Sequence, residues 1–145
     1  MSVETRGGRL TLVRGGAAQE FTVTVRNGNT QAYDHLLLTF QMEILFGGGT
    51  AEPTGPGPGF VLERKDPATG AWRPATLRIA NDSLPNALLR GGTPLPRDTT
   101  RTEHYRLRAL RVGAAGSTPV MIRLVDTDTD RSVATFNLPT STARR

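Results

Sequence analysis

The feature that most constrains this chain is a strict alternation of apolar and polar residues near its start. Phe21, Val23 and Val25 are separated by single polar residues, so they share one face if the segment is extended. A Gly-Gly pair precedes the segment and an Asn-Gly pair ends it, and both pairs are turn signals. A period of two residues is typical of a strand with one buried and one hydrated face. The segment therefore predicts a β-strand over residues 19–27.

The same alternation recurs along the chain and is clearest over residues 35–46. Five apolar residues occupy alternate positions there, namely Leu36, Leu38, Phe40, Met42 and Ile44. Turn residues separate further alternating segments, which are residues 9–13, 59–65, 72–80, 102–112, 119–126 and 131–138. No segment has the period of a helix. Short strands at a spacing of roughly ten residues predict an all-β fold, an antiparallel, immunoglobulin-like sandwich of two sheets with seven to eight strands.

The length and composition of the chain predict one domain. A chain of 145 residues can bury a core without crosslinks, and the absence of cysteine excludes disulfides. We expect a flexible N-terminus over residues 1–8, a domain over residues 9–139 and a flexible C-terminal tail over residues 140–145. Residues 47–59 are rich in glycine and proline, and residues 81–100 are irregular. These two segments are the predicted exposed loops and the best candidates for a contact surface.

The charge of the chain is positive and comes almost entirely from arginine. The net charge is +5 and Lys65 is the single lysine. The frequent glycine, proline and alanine are typical of a GC-rich genome, which accounts for the arginine excess; the alternative is selection to bind an anionic partner. No apolar stretch reaches the length of about 20 residues that spans a bilayer, so the chain is predicted to contain no transmembrane segment.

Two segments carry a resemblance to known proteins. Residues 10–29 follow the pattern Leu-Thr-Leu-Val-x-Gly-Gly-x-x-Gln-Glu-Phe-Thr-Val-Thr-Val-x-Asn, which resembles the opening of bacterial immunoglobulin-like domains of secreted and cell-wall proteins. The hairpin over residues 59–72 is similar to segments of surface proteins of streptomycetes, and residues 96–108 are similar to a later strand of such domains. The resemblance implies an actinobacterial protein that is secreted or at the cell surface, although the cytoplasm stays open. It implies no catalytic residues.

Three aspartates at alternate positions are the candidate metal ligands. Asp126, Asp128 and Asp130 form an Asp-x-Asp-x-Asp run, and several converging oxygens are what Ca²⁺ requires. Arg131 and Asn137 stand where the helix-loop-helix calcium site needs glycine and glutamate. The alternative is a hydrated hairpin turn whose aspartate and threonine side chains bond to local amides. The sequence favours the turn, and no metal or cofactor is predicted.

Arginine and aromatic side chains provide two further candidate binding surfaces. Arg106 and Arg108 share a face of one predicted strand, and Arg123 lies on a strand that we expect to be its neighbour, so the three are a candidate contact for a polyanion such as teichoic acid. The scarcity of aromatic residues there disfavours nucleic acid. Trp72 and Tyr33 are candidates for stacking on a sugar. The alternatives are an ordinary hydrated sheet face and aromatic packing.

No pattern of catalytic residues is visible. His35 follows Asp34 and His104 follows Glu103, but adjacent residues of a strand point to opposite faces, so neither pair forms a local dyad. The chain lacks a Gly-x-Ser-x-Gly elbow, a phosphate-binding loop and a dinucleotide fingerprint. The sequence therefore predicts that the chain is not an enzyme.

The function predicted from the sequence is a non-catalytic extracellular or cell-surface module that acts as a spacer, in adhesion or in protein interaction. Two alternatives stay open: a module that binds a cell-wall glycan or a polyanion, and a structural subunit of a larger assembly. The expected partner is a protein or a cell-wall polymer. The sequence leaves the oligomeric state open.

Overall fold

The computed structural model describes residues 1–45 and 59–145, which form three β-sheets. Two short 3-10 turns, Arg6–Gly8 and Asn86–Leu88, are the helical elements of this part. The strands are β1 (Ser2–Glu4), β2 (Leu10–Val13), β3 (Gln19–Asn27), β4 (Tyr33–Met42), β5 (Phe60–Lys65), β6 (Trp72–Pro74), β7 (Arg78–Ile79), β8 (Thr93–Leu95), β9 (Thr99–Ala109), β10 (Gly116–Ser117), β11 (Val120–Asp126), β12 (Arg131–Leu138) and β13 (Thr140–Ala143). The all-β prediction is confirmed.

The strands divide among two larger sheets and one small one. Sheet 1 has the order β1-β3-β9-β5-β6, and all its pairs are antiparallel. Sheet 2 has the order β12-β11-β4-β7, with β8 also paired to β4. Sheet 3 has the order β10-β13-β2, and its β13–β2 pair is parallel. The described residues thus hold 13 strands in three sheets, so the finer prediction of an immunoglobulin-like sandwich with two sheets and seven to eight strands is not confirmed.

The core lies between sheets 1 and 2, and aromatic rings join them. The ring of Tyr105 on β9 stacks on Phe21 of β3 at 5.5 Å between centroids and meets Phe40 of β4 at 4.6 Å. Phe21, Val23 and Val25 are all buried, as the alternation in β3 predicts. Each buried side chain of this size stabilises the fold by about 1.5–3 kcal/mol. The facing sheets are therefore held by the same alternating residues that the sequence marks.

Segments near both ends of the chain form strands of the sheets. Strand β1 pairs with β3, and β13 pairs with β2, with Thr140 opposite Leu10. The domain limits at residues 9 and 139 stay a prediction. Backbone amide and carbonyl groups pair whatever side chains they carry, and the buried side chains of β13 are the small polar Thr140 and Thr142.

The predicted strand over residues 72–80 is two strands in different sheets. Strand β6 pairs with β5 in sheet 1, and β7 pairs with β4 in sheet 2. Pro74 ends β6, since proline has no amide hydrogen to continue the ladder. The predicted irregular segment over residues 81–100 contains β8, while most of the predicted loop over residues 47–59 lies outside the described residues.

A buried arginine fixes the start of β5. The Arg14 guanidinium donates hydrogen bonds to the carbonyl oxygens of Gly59, Leu110 and Ala114, and its Cζ lies 4.5 Å from the centroid of the Phe60 ring. A Cβ atom on Gly113 would lie 2.4 Å from Arg14 Cζ. Gly113 therefore lets its own backbone lie against the Arg14 guanidinium. Because that guanidinium also donates to the carbonyl of Gly59, it fixes the residue that directly precedes β5.

Candidate functional site

Four polar side chains form the candidate site, which we name the inter-sheet cluster: Arg64, Arg101, Glu103 and Tyr105. Strand β9 supplies three of them at alternate positions, and β5 supplies Arg64, which lies directly opposite Tyr105 in the register. Alternate residues of a strand point to one face, so the three β9 residues share the inner face with buried Leu107. Charged groups thus occupy positions that continue the hydrophobic core.

Glu103 is the centre of the cluster. Its Oε2 accepts a hydrogen bond of 2.6 Å from the Tyr105 hydroxyl, and its Oε1 lies 3.1 Å from Arg64 Nη2 and 3.8 Å from Arg101 Nε. Its side chain is only 13% exposed. Arg101 Nη1 also donates to Thr93 Oγ1 at 2.6 Å, which ties the cluster to β8. One carboxylate is therefore held by two guanidinium groups and one phenol.

Tyr105 is held in its protonated form. Its ring is buried beside Phe21 and Phe40, and removal from water raises the pKa of the Tyr105 hydroxyl well above its usual range. The negative charge of Glu103 raises that pKa further, since a phenolate beside a carboxylate would place two negative charges together. Tyr105 therefore stays protonated at neutral pH and donates its hydrogen bond to Glu103.

A cleft of about 210 Å³ adjoins the cluster, between sheets 1 and 2. The cluster forms one wall, and the remaining lining residues are Leu36, Leu37, Leu38, Gly92 and Thr93. Gly92 has a φ of +110°, and a Cβ there would lie 2.8 Å from backbone atoms of His35 and Leu36. The glycine thus allows the segment before β8 to lie directly against β4, and the cleft has one polar and one largely apolar wall.

Two donors of the cluster lack partners. The Nε atoms of Arg64 and Arg101 are buried, and neither makes a hydrogen bond within residues 1–45 and 59–145. A buried donor without an acceptor costs about 1–3 kcal/mol, so these two groups lower the stability of the fold. Guanidinium groups stabilise an oxyanion, and a neighbouring phenol can supply a proton. The cluster therefore has the groups needed for reactions that develop negative charge on oxygen.

The three candidate arginines do not form one surface. Arg106 and Arg108 lie on β9 of sheet 1, whereas Arg123 lies on β11 of sheet 2. Arg106 Nε is 2.9 Å from Glu63 Oε1, and Arg123 Nη2 donates to the carbonyl of Leu84 at 3.0 Å. The expectation that the two strands are neighbours is wrong, because β9 pairs with β3 and β5 and β11 pairs with β4 and β12.

The two candidate aromatic residues are also apart. Trp72 lies on β6 of sheet 1, and the guanidinium of Arg106 is 4.4 Å from the centroid of its ring. Tyr33 lies at the start of β4 in sheet 2, and its hydroxyl accepts a hydrogen bond from Asn29 Nδ2 at 2.9 Å. They therefore do not form a joint stacking platform.

Asp128 and Asp130 lie in the turn between β11 and β12, and Asp126 is the last residue of β11. Asp126 Oδ1 accepts a hydrogen bond from the Asp128 amide at 3.1 Å, and Asp126 Oδ2 accepts one from Thr129 Oγ1 at 3.0 Å. Over the ranges that the structure describes, no three His, Cys, Asp or Glu side chains group as metal ligands. Asp128 instead lies 3.0 Å from His35 Nδ1, a long-range pair that sequence spacing could not indicate.

The sequence patterns do not indicate that the four residues of the inter-sheet cluster form one site. The alternation over residues 102–112 puts Tyr105 and Leu107 on one face, and both are buried. Glu103 and Tyr105 are two residues apart on one strand, so their side chains point to the same face. If Tyr105 points into the core, Glu103 must point inward as well. Arg64 gave no such signal, because its position opposite Tyr105 depends on which strands pair.

Comparisons with known proteins identify the fold. No protein-family model and no curated protein matches this chain. Among solved structures, AvmM, which catalyzes macrocyclization in alchivemycin A biosynthesis, aligns with a TM-score of 0.60 and 15% identity over 98% of this chain and 88% of AvmM. A family 123 glycoside hydrolase from Clostridium perfringens aligns with a TM-score of 0.49 and 7% identity over 94% of this chain and 22% of the hydrolase. The chain thus shares its fold with AvmM.

The comparison with AvmM corrects the predicted function. The sequence predicts a non-catalytic module, with a glycan- or polyanion-binding module and a structural subunit as alternatives, and predicts that the chain is not an enzyme. These predictions are wrong because they assume that layered strands leave no catalytic pocket, whereas AvmM catalyzes a reaction with this fold. The resemblance to bacterial immunoglobulin-like domains stays a prediction. No helix in the described part of the chain is long and apolar enough to cross a membrane.

Proposed function

We propose that this chain is an enzyme that closes a ring in a linear biosynthetic intermediate, and that the reaction takes place in the inter-sheet cleft. The observation that carries the proposal is the inter-sheet cluster, in which Glu103 binds two arginines and the protonated Tyr105 beside an apolar wall. Support comes from the fold shared with AvmM, which catalyzes macrocyclization.

The cluster contains the groups that ring closure by addition requires. A nucleophilic atom at one end of the substrate bonds to a carbonyl carbon at the other end, and the π electrons of that carbonyl move to its oxygen. Arg64 and Arg101 stabilise the negative charge on the oxygen atoms of the two reacting ends. Glu103 accepts the proton that the nucleophile loses, Tyr105 donates a proton to the oxyanion, and the hydrogen bond between them returns the proton to Tyr105. No atom leaves, so the product is an isomer of the substrate.

The size of the cleft restricts what enters it. Its volume of about 210 Å³ is below the roughly 300–1,000 Å³ of pockets that bury a drug-sized ligand, so it accommodates the reacting ends rather than a whole macrocycle. The remainder of the substrate lies outside. Binding both ends in one cleft removes the conformational freedom that the chain must lose before the ring can close.

The experiment starts from the host organism. Deletion of the gene should cause a linear compound to accumulate with the mass of the missing cyclic product, as mass spectrometry would show. The purified chain should convert that compound to the cyclic isomer. A Tyr105→Phe variant keeps the ring packing but removes the donor, and we expect a rate at least about 100-fold lower.

Tyr33→Phe is the matched control, because it removes the other phenol hydroxyl of the chain away from the cleft. Its rate should stay within about twofold of wild type. The proposal would be overturned if the deletion strain still made every cyclic product of the wild type. It would also be overturned if a folded Tyr105→Phe variant had the wild-type rate.

A further inference from the structure

We infer that the group bound in the inter-sheet cleft is a planar oxyanion, a carboxylate or an enolate, at the end of an apolar chain. The inference rests on the proposed ring closure in the same cleft and specifies the substrate class. It follows from the charge of the lining, the two guanidinium groups in it and the leucine wall.

The charge of the lining leaves one positive charge uncompensated. Arg64 and Arg101 contribute two positive charges, and Glu103 is the single acidic residue among the described residues that line the cleft. Both arginines approach the same carboxylate oxygen, so neither is paired with an acid of its own. A partly buried cleft focuses this charge, which favours a ligand with one negative charge.

The shape of the donors selects a planar group. A guanidinium presents its N–H groups in one plane and matches the two oxygens of a carboxylate or of a dicarbonyl enolate. Arg101 is held in place by hydrogen bonds from Nη1 to Thr93 Oγ1 and to the carbonyl of Pro94. The side chains of Arg64 and Arg101 are 43% and 24% exposed, and both line the cleft. The N–H groups that these two guanidinium groups expose to the cleft are the donors that we assign to the oxyanion.

The opposite wall selects the carbon skeleton next to the anion. Leu36, Leu37 and Leu38 line it together with Gly92. Contact with these residues removes apolar surface from water and favours an aliphatic or cyclic hydrocarbon segment beside the charged end. The two walls together therefore favour an amphiphilic end group over a fully polar one.

Titration calorimetry at pH 7 with three compounds of similar size tests the inference. The probes are cyclohexanecarboxylate, the enolate of 2-acetylcyclohexane-1,3-dione, and the uncharged cyclohexanecarboxamide. We expect at least one anion to bind at least tenfold more tightly than the amide. The tighter of the two anions identifies the oxyanion as a carboxylate or an enolate. Equal binding of the amide and both anions would overturn the inference.

Matched variants locate the binding. Arg101→Gln should weaken anion binding at least tenfold, whereas Arg108→Gln removes the same charge from the exposed face of the same strand and should change it less than twofold. Arg64→Gln gives a second measurement if Arg101→Gln does not fold, since the Arg64 side chain is 43% exposed. Wild-type affinity in both folded cluster variants would overturn the inference.

The two proposals fail separately. Anions could bind selectively through Arg101 while deletion of the gene leaves every cyclic product intact. That combination would overturn ring closure and support the assigned oxyanion. Conversely, ring closure of a substrate whose reacting end carries no ionisable or enolisable group overturns the oxyanion and supports ring closure.

Discussion

At the scale of single residues, Tyr105 joins the core to the candidate site. Its ring belongs to the aromatic contacts between sheets 1 and 2, while its hydroxyl belongs to the inter-sheet cluster. The same burial that stabilises the ring makes the phenolate unfavourable, so packing and protonation state have one cause. The packed ring therefore holds the hydroxyl at a fixed location beside Glu103.

The raised pKa of Tyr105 predicts how stability depends on alkaline pH. The unfolded chain releases this proton near pH 10, whereas the folded chain retains it. The stabilisation is therefore fully present below about pH 10 and falls above it, by up to about 1.4 kcal/mol per pH unit from this residue. Urea unfolding between pH 9 and 11 should show a steeper loss in wild type than in Tyr105→Phe. Identical slopes in the two proteins would contradict the prediction.

Absorbance gives an independent reading of the same residue. The chain has two tyrosines, so a Tyr33→Phe variant isolates Tyr105. Phenolate absorbance at 295 nm in that variant should appear only when the protein unfolds, and in urea it should appear near pH 10. Ionisation of the folded variant near pH 10 would show that the hydroxyl is accessible to water.

The candidate site could be predicted from the sequence only in part, and the reason lies in its residues. The phase of β9 places Glu103 and Tyr105 on one face, and this is readable from alternation. Arg64 joins them because β5 pairs with β9, and alternation carries no information on which strands pair. Alternation alone therefore indicates that Glu103 and Tyr105 lie on one face, but it does not indicate that Arg64 lies opposite them.

At the scale of secondary-structure elements, the long strands were predictable and the short ones were not. Strands β3, β4, β9 and β11 each bury a row of alternating apolar residues; β3 and β11 match the predicted segments to within one residue, whereas β4 and β9 begin two and three residues earlier than predicted. Strands β1, β8 and β13 have three or four residues and are held by backbone pairing along a neighbour. Such pairing depends on residues distant in sequence, which is why local patterns missed it.

Strand β8 forms the rim of the cleft, and Gly92 determines how it meets β4. Gly92→Ala would place a Cβ 2.8 Å from the backbone of His35 and Leu36 and would also strain a residue with φ of +110°. We expect a loss of more than about 2 kcal/mol in the free energy of unfolding, together with a displaced β8 and lower activity. Urea unfolding measures the first effect.

Gly91→Ala is the control for this prediction. Gly91 has a comparable φ of +92°, but a Cβ there would meet no atom within 4 Å. Its variant therefore has the backbone strain without the crowding, and its stability loss should be about 1–2 kcal/mol. Equal losses in the two variants would show that close approach of β8 to β4 is not what Gly92 provides.

At the scale of the whole molecule, the fold places a charged cluster at positions that continue the hydrophobic core. Two guanidinium groups and a carboxylate lose hydration on folding, and their mutual attraction only partly compensates that loss. Such a cluster is favourable for function when a ligand completes its hydrogen bonds. A purely structural cluster would instead contribute to stability, so a measurement of stability distinguishes the two roles.

The last prediction compares removal of one charge with removal of all three. Glu103→Leu alone leaves two guanidinium groups beside each other and the Tyr105 hydroxyl without an acceptor, and should destabilise the fold by about 2–4 kcal/mol. The triple variant Arg64→Met, Arg101→Met, Glu103→Leu should recover most of that loss or exceed wild-type stability, while losing activity and anion binding. The gain is limited because Arg64 is partly exposed. A triple variant less stable than Glu103→Leu would mean that the cluster stabilises the fold, and burial of these charges would then no longer support a catalytic site.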